Sequence, residues 1–91
     1  MAVGPEGGGP GEAEKAAFLA GLLESWGLKV ENFPAHDDRV PGGQRPNLVA
    51  WLEGARPEKV WVLSHLDVVP PGDVSLWDSD PYILRVEGDR L

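Results

Sequence analysis

KVWVLSHLDVVPPGD, residues 59–73, runs from apolar β-formers into Ser64, His65 and Asp67 and then turns at Pro70, Pro71 and Gly72. The nearly unbroken apolar run over residues 59–68 predicts a strand buried on both faces. Residues i and i+2 of a strand share a face, so His65 and Asp67 project together while Ser64 and Leu66 face the other way. An imidazole nitrogen is a good zinc ligand. Its second nitrogen usually needs an acceptor, commonly a carboxylate, which fixes the tautomer. In open α/β sheets such groups gather at the carboxyl ends of strands. The spacing alone leaves a second reading open, a core histidine satisfied by a neighbouring carboxylate, with Asp67 as a turn former.

Upstream, Ala16, Leu19, Ala20, Leu23 and Trp26 recur at spacings of three and four, which predicts a helix over residues 12–26 covering one face of a sheet, with Trp26 in the core. Glu12 and Glu14 suit the positive end of the helix dipole, and Gly27 suits a left-handed C′ position. Residues 1–11 are rich in Gly and Pro and read as a flexible loop. They lack the preceding strand and the Lys-Ser or Lys-Thr that a phosphate loop needs. Residues 28–33 and 47–53 read as further strands, the second buried on both faces, with a polar loop turning at Gly42 and Gly43 between them. His36 and Asp38 repeat the His-x-Asp spacing, but no apolar strand leads into them, and a solvated loop histidine is the default. Trp77 sits in a turn-rich connection over residues 70–81. Residues 82–91 alternate and turn at Gly88 and Asp89, with Arg90 and Leu91 opening another strand. The expected fold is one partial α/β domain over residues 1–91: an open mixed sheet of about four strands with one covering helix.

Composition narrows the function. The net charge of −7 over 91 residues disfavours nucleic acid and anionic membrane surfaces. There are no cysteines, so any metal is held by His, Asp and Glu, and a reducing, cytoplasmic setting is compatible. No secretory signal and no bilayer-length apolar run is read.

The string SHLDVVPPGD, followed by WDSDPY and VEGDRL, closely resembles a family of co-catalytic zinc hydrolases. That family includes acetylornithine deacetylase, succinyl-diaminopimelate desuccinylase, aminoacylase, glutamate carboxypeptidase and dipeptidases. RPNLVA at residues 45–50 resembles its second strand, and residues 3–28 resemble its opening loop and first helix. The resemblance implies that His65 is a zinc ligand and Asp67 the catalytic acid that orients it, with Asp73, Trp77 and Tyr82 at the rim. It implies two zinc ions, an N-acyl amino acid or peptide substrate, and a glutamate general base acting on water. The family's Gly-Arg-Gly segment with the bridging Asp, its Glu-Glu pair and its later ligands are not in this sequence. The expectation is therefore a piece of a catalytic domain that alone neither binds zinc tightly nor hydrolyses amides. The alternative is a non-enzymatic truncated α/β module. Exposed sheet edges would favour a homo-oligomer in either case.

Overall fold

The computed structural model describes residues 2–90. The helix, α1, spans Ala13–Ser25. It ends in a Schellman motif: the Gly27 N–H donates to the Glu24 carbonyl at 2.9 Å and the Leu28 N–H to the Leu23 carbonyl at 3.1 Å. Gly27 holds the left-handed conformation this requires, with φ 82. The helix packs through Ala16, which is buried, whereas Trp26 lies on the surface. The expectation of a core Trp26 is thus corrected. The indole sits at the helix C-cap, beyond the last turn that packs on strands, and meets no covering layer.

Four short strands follow: β1 Lys29–Asn32, β2 Ala35–His36, β3 Gln44–Arg45 and β4 Leu48–Trp51. They form two separate antiparallel pairs, β1 with β4 and β2 with β3. In the first, Lys29 faces Trp51 and Asn32 faces Leu48. The second is a small hairpin within the segment expected to be a polar loop, turning through Gly42 and Gly43 as read from the sequence. Neither face of β4 is fully buried, because the covering helix reaches only part of it. The described residues thus give an α/β arrangement with one helix, but two pairs rather than one open four-stranded sheet.

The strand expected over residues 59–68 does not form. Val60, Trp61, Val62 and Leu63 are 91%, 74%, 88% and 99% exposed. A strand apolar on both faces gains stability only from neighbours in the sheet plane and a layer on each side. No described segment supplies these, so the run forms no regular structure and lies open to solvent. The radius of gyration of 16.4 Å exceeds the roughly 12 Å of a compact domain of this length, as an open second half requires. Only the far end of the run is tied down. Val68 forms a parallel bridge with Val3, its N–H donating to the Ala2 carbonyl at 2.8 Å and its carbonyl accepting from Gly4 at 3.4 Å.

The Gly/Pro-rich start, read as a flexible loop, is instead a built part of the fold. It turns through a short 3-10 segment, Pro5–Gly7, and is closed by bonds from the Gly7 and Gly9 N–H groups to the Gly4 carbonyl. Ala2 and Val3 are buried and join Ala16 and Val40 as the buried apolar residues among those described. The glycines here permit close packing rather than looseness. At the other end, Glu87 and Arg90 close a two-residue turn through Gly88 and Asp89. The further strand expected to open at Arg90 and Leu91 lies in part outside the described residues.

Candidate active site

The end of this run brings His65 and Asp67 to the surface beside the N-terminal turn. His65 Nδ1 lies 2.8 Å from the backbone carbonyl of Asp67 and 3.5 Å from its Oδ1. A carbonyl only accepts, so Nδ1 donates here, which in the neutral ring leaves Nε2 as the nitrogen with a lone pair. The His65 side chain is 83% exposed, so the reading of a buried core histidine does not describe it.

Three groups hold this segment in place. The Val68 ladder fixes its backbone. Lys15, on the outer side of α1, donates from Nζ to the Leu66 carbonyl at 2.7 Å. Arg45 reaches Asp67 Oδ2 with Nη2 at 3.7 Å. Arg45 is itself anchored on Glu12, with Nε to Oε1 at 2.8 Å and Nη2 to Oε2 at 3.3 Å. Glu12 precedes α1, and its carboxylate spends its acceptors on this guanidinium instead of capping the helix. The hydrogen bond to Glu12 also pushes the Arg45 pKa up, so its charge is permanent.

Beside this pair lies a second. Arg39 donates to Asp37 through Nε at 2.8 Å, Nη2 at 2.7 Å and its backbone N–H at 3.1 Å. These bonds, the side-chain ones first, hold the Asp37 carboxyl down to about 2, below its ordinary 3.8. The folded pKa is the lower one. The pair therefore stabilises the fold fully above about pH 4, and that contribution is lost as pH falls through about 2. A carbon-detected titration should place the Asp37 midpoint near 2 and, in Arg39→Gln, close to the ordinary value. An unchanged midpoint in the variant would show that Arg39 is not the cause.

His36 Nε2 lies 3.2 Å from Asp38 Oδ1, both side chains being exposed. Asp73 accepts from the Ser75 N–H at 2.9 Å and Trp77 donates its indole N–H to the Pro71 carbonyl at 3.0 Å, which folds the connection after Val68 into a compact turn. The fit to a metal is partial. His65 Nε2 is a suitable single donor, but no group of three His, Cys, Asp or Glu able to hold an ion occurs among the described residues. Sequence reasoning missed Lys15, Glu12 and Arg45 as supports. The only available signal for Arg45 was its place in RPNLVA.

Comparison with known proteins gives a consistent set of relatives. The chain is 36% identical over 85 residues to a protein of Methanocaldococcus jannaschii described as an uncharacterized metallohydrolase, covering 88% of this chain and 21% of the relative. A similarly described protein of Methanococcus maripaludis is 32% identical over 92 residues, covering 93% of this chain and 22% of the relative. The succinyl-diaminopimelate desuccinylase of Gluconobacter oxydans is 39% identical over 82 residues, covering 90% and 20% respectively. The chain thus spans about a fifth of the length of the curated relatives it matches. No protein-family model and no solved structure matches it.

Proposed function

We propose, from the premise that the chain is related over nearly its whole length to metallohydrolases and succinyl-diaminopimelate desuccinylases, that it is the first metal-site portion of a metal-dependent amide hydrolase. The substrate class is an N-acyl amino acid or a small peptide, and the metal is zinc, held as two ions in the complete site. Residues 1–91 form part of a single catalytic domain in this reading. What supports it most is one arrangement, inside the stretch shared with the relatives: His65 Nδ1 bonded to the Asp67 backbone carbonyl, with the Asp67 carboxylate 3.5 Å from the same nitrogen. In it, His65 is one metal ligand and Asp67 orients its ring. When bound, zinc polarises the amide carbonyl and activates water. This chain's own part is to hold one imidazole in one tautomer at a rim to which Asp73, Trp77 and Tyr82 contribute. Among the described residues no helix is long and apolar enough to cross a membrane. A purely associating module is the weaker reading, because the relatives with specific descriptions are hydrolases.

The test has two arms. A protein of the relatives' full length should hydrolyse N-succinyl or N-acetyl amino acids only when loaded with metal. His65→Ala should then lower the rate by about a thousandfold, the scale of several kcal/mol of Lewis-acid stabilisation. The 91-residue chain alone should bind zinc more weakly than micromolar in calorimetry, since catalytic sites use about three protein ligands. Hydrolysis indifferent to metal, or submicromolar binding by the short chain that depends on His65, defeats the reading.

A further inference from the structure

We propose that Arg45 is a positioning residue for Asp67: it fixes the carboxylate so that one oxygen faces His65. The role it serves rests on the hydrolase reading above, but the geometry does not. Arg45 lies on β3, its side chain 24% exposed. Its guanidinium grips Glu12 through two N–H groups. Glu12 is only 5% exposed. A carboxylate so buried needs a charged partner, and this pairing sets the plane of the guanidinium. The same plane turns Nη2 toward Asp67 Oδ2 at 3.7 Å, and Nη1 toward Glu6 Oε1 at 3.8 Å and Asp37 Oδ2 at 4.0 Å. The other Asp67 oxygen, Oδ1, lies 3.5 Å from His65 Nδ1. The two carboxylate oxygens are thus divided between a guanidinium and an imidazole, and Glu12, Arg45, Asp67 and His65 form a continuous line.

The remaining surroundings give Asp67 no other cation. Among the described residues its ion-pair partners are Arg45 and His65. Lys15 binds the Leu66 carbonyl and Arg39 binds Asp37 and Glu6. The Asp67 side chain is 40% exposed and lies against Gly4 on its covered side, so packing covers only part of it. An unconstrained aspartate distributes over staggered χ1 wells. A fork that is itself anchored restricts that choice, which a lysine on a flexible stem does not do equally well.

The experiment uses the 91-residue chain as it stands. Three-bond couplings to the Asp67 carboxyl carbon report its χ1 populations, while amide shifts of α1 and the β1–β4 pair report the fold. In the unaltered chain one rotamer should dominate. In Arg45→Gln it should fall to about half, with the others filling in, while the α1 and β1–β4 shifts stay in place. A folded Arg45→Gln that keeps a single Asp67 rotamer overturns the proposal. If that variant does not fold, Asp67→Asn, at a partly exposed position, reads the pair from the other side. There the Arg45 Nη resonance should move while Nε, bonded to Glu12, does not. An unmoved Nη overturns the proposal as firmly. Neither measurement uses metal or substrate, so a failed hydrolase assay leaves this result standing, and a failed rotamer result leaves the hydrolase assay untouched.

Discussion

A chain carrying Trp61→Glu and Leu63→Glu is expected to stay monomeric under conditions in which the unaltered chain gains mass with concentration. The surface concerned is the open run at residues 60–63, almost fully exposed on both sides. Its backbone N–H and carbonyl groups have no ladder partner among the described residues. Such a run is a template for the same run of a second copy. Burying an apolar side chain of this size is worth about 1.5–3 kcal/mol. The four together reach on the order of 6–12 kcal/mol, against an association cost of about 4–15 kcal/mol. The balance gives weak, concentration-dependent assembly. A net charge of −7 opposes it, so added salt should strengthen it by screening. Sedimentation across a wide concentration range decides the matter. An unaltered chain that stays monomeric at the highest concentration, or a double variant that assembles equally well, contradicts the expectation.

Gly9→Ala is expected to release the N-terminal turn, at a cost of about 3 kcal/mol, the upper end of the usual overpacking penalty. A Cβ at Gly9 would stand 2.2 Å from the Val3 carbonyl oxygen and 2.4 Å from Val3 Cβ. These are backbone and near-backbone atoms, which cannot swing away as a flexible side-chain tip would. Relief requires moving Val3, and Val3 is what pairs with Val68. The change should therefore unprotect the Val68 amide as well as lower the urea midpoint. Gly21 is the internal control. It sits within α1, and beyond the neighbouring backbone of its own helix nothing lies within 4 Å of where a Cβ would stand, so Gly21→Ala should stabilise by about 0.5–1 kcal/mol through helix propensity. Equal midpoints for the unaltered chain and Gly9→Ala, with Val68 still protected, would show that the close approach is not maintained in solution.

Local signals in the sequence were read well where the structure they specify is local. The stripe from Ala16 to Leu23 and the glycine after Trp26 place α1 and its end almost to the residue, because a helix and its Schellman motif are made of bonds spanning a few positions. The β1 and β4 segments were visible by composition, but their pairing with each other was not. The run at 59–68 has the pattern of a doubly buried strand, and that pattern records the environment it is suited to. It does not supply the neighbours. The site shows the same division. His65 and Asp67 stand out by spacing and by the surrounding motif, and their contact is a two-residue matter. Their supports are long-range: Lys15 from the helix, Arg45 from a hairpin, and Val3 from a segment whose glycines looked like looseness. Periodicity is silent about a glycine whose purpose is to let two backbones touch.

The Val3–Val68 bridge has a temporal consequence. The helix and the β1–β4 pair join residues near one another in the sequence, and such contacts close quickly. The bridge joins nearly the first described residue to one three-quarters of the way along, so it closes a large loop and forms late. On a ribosome the turn at residues 2–11 is made before residue 68, so its valine has no partner until residue 68 has emerged. During that interval Val3 waits unpaired. His65 and Asp67 reach their final setting only when an earlier segment of the chain meets one made some sixty-five residues later.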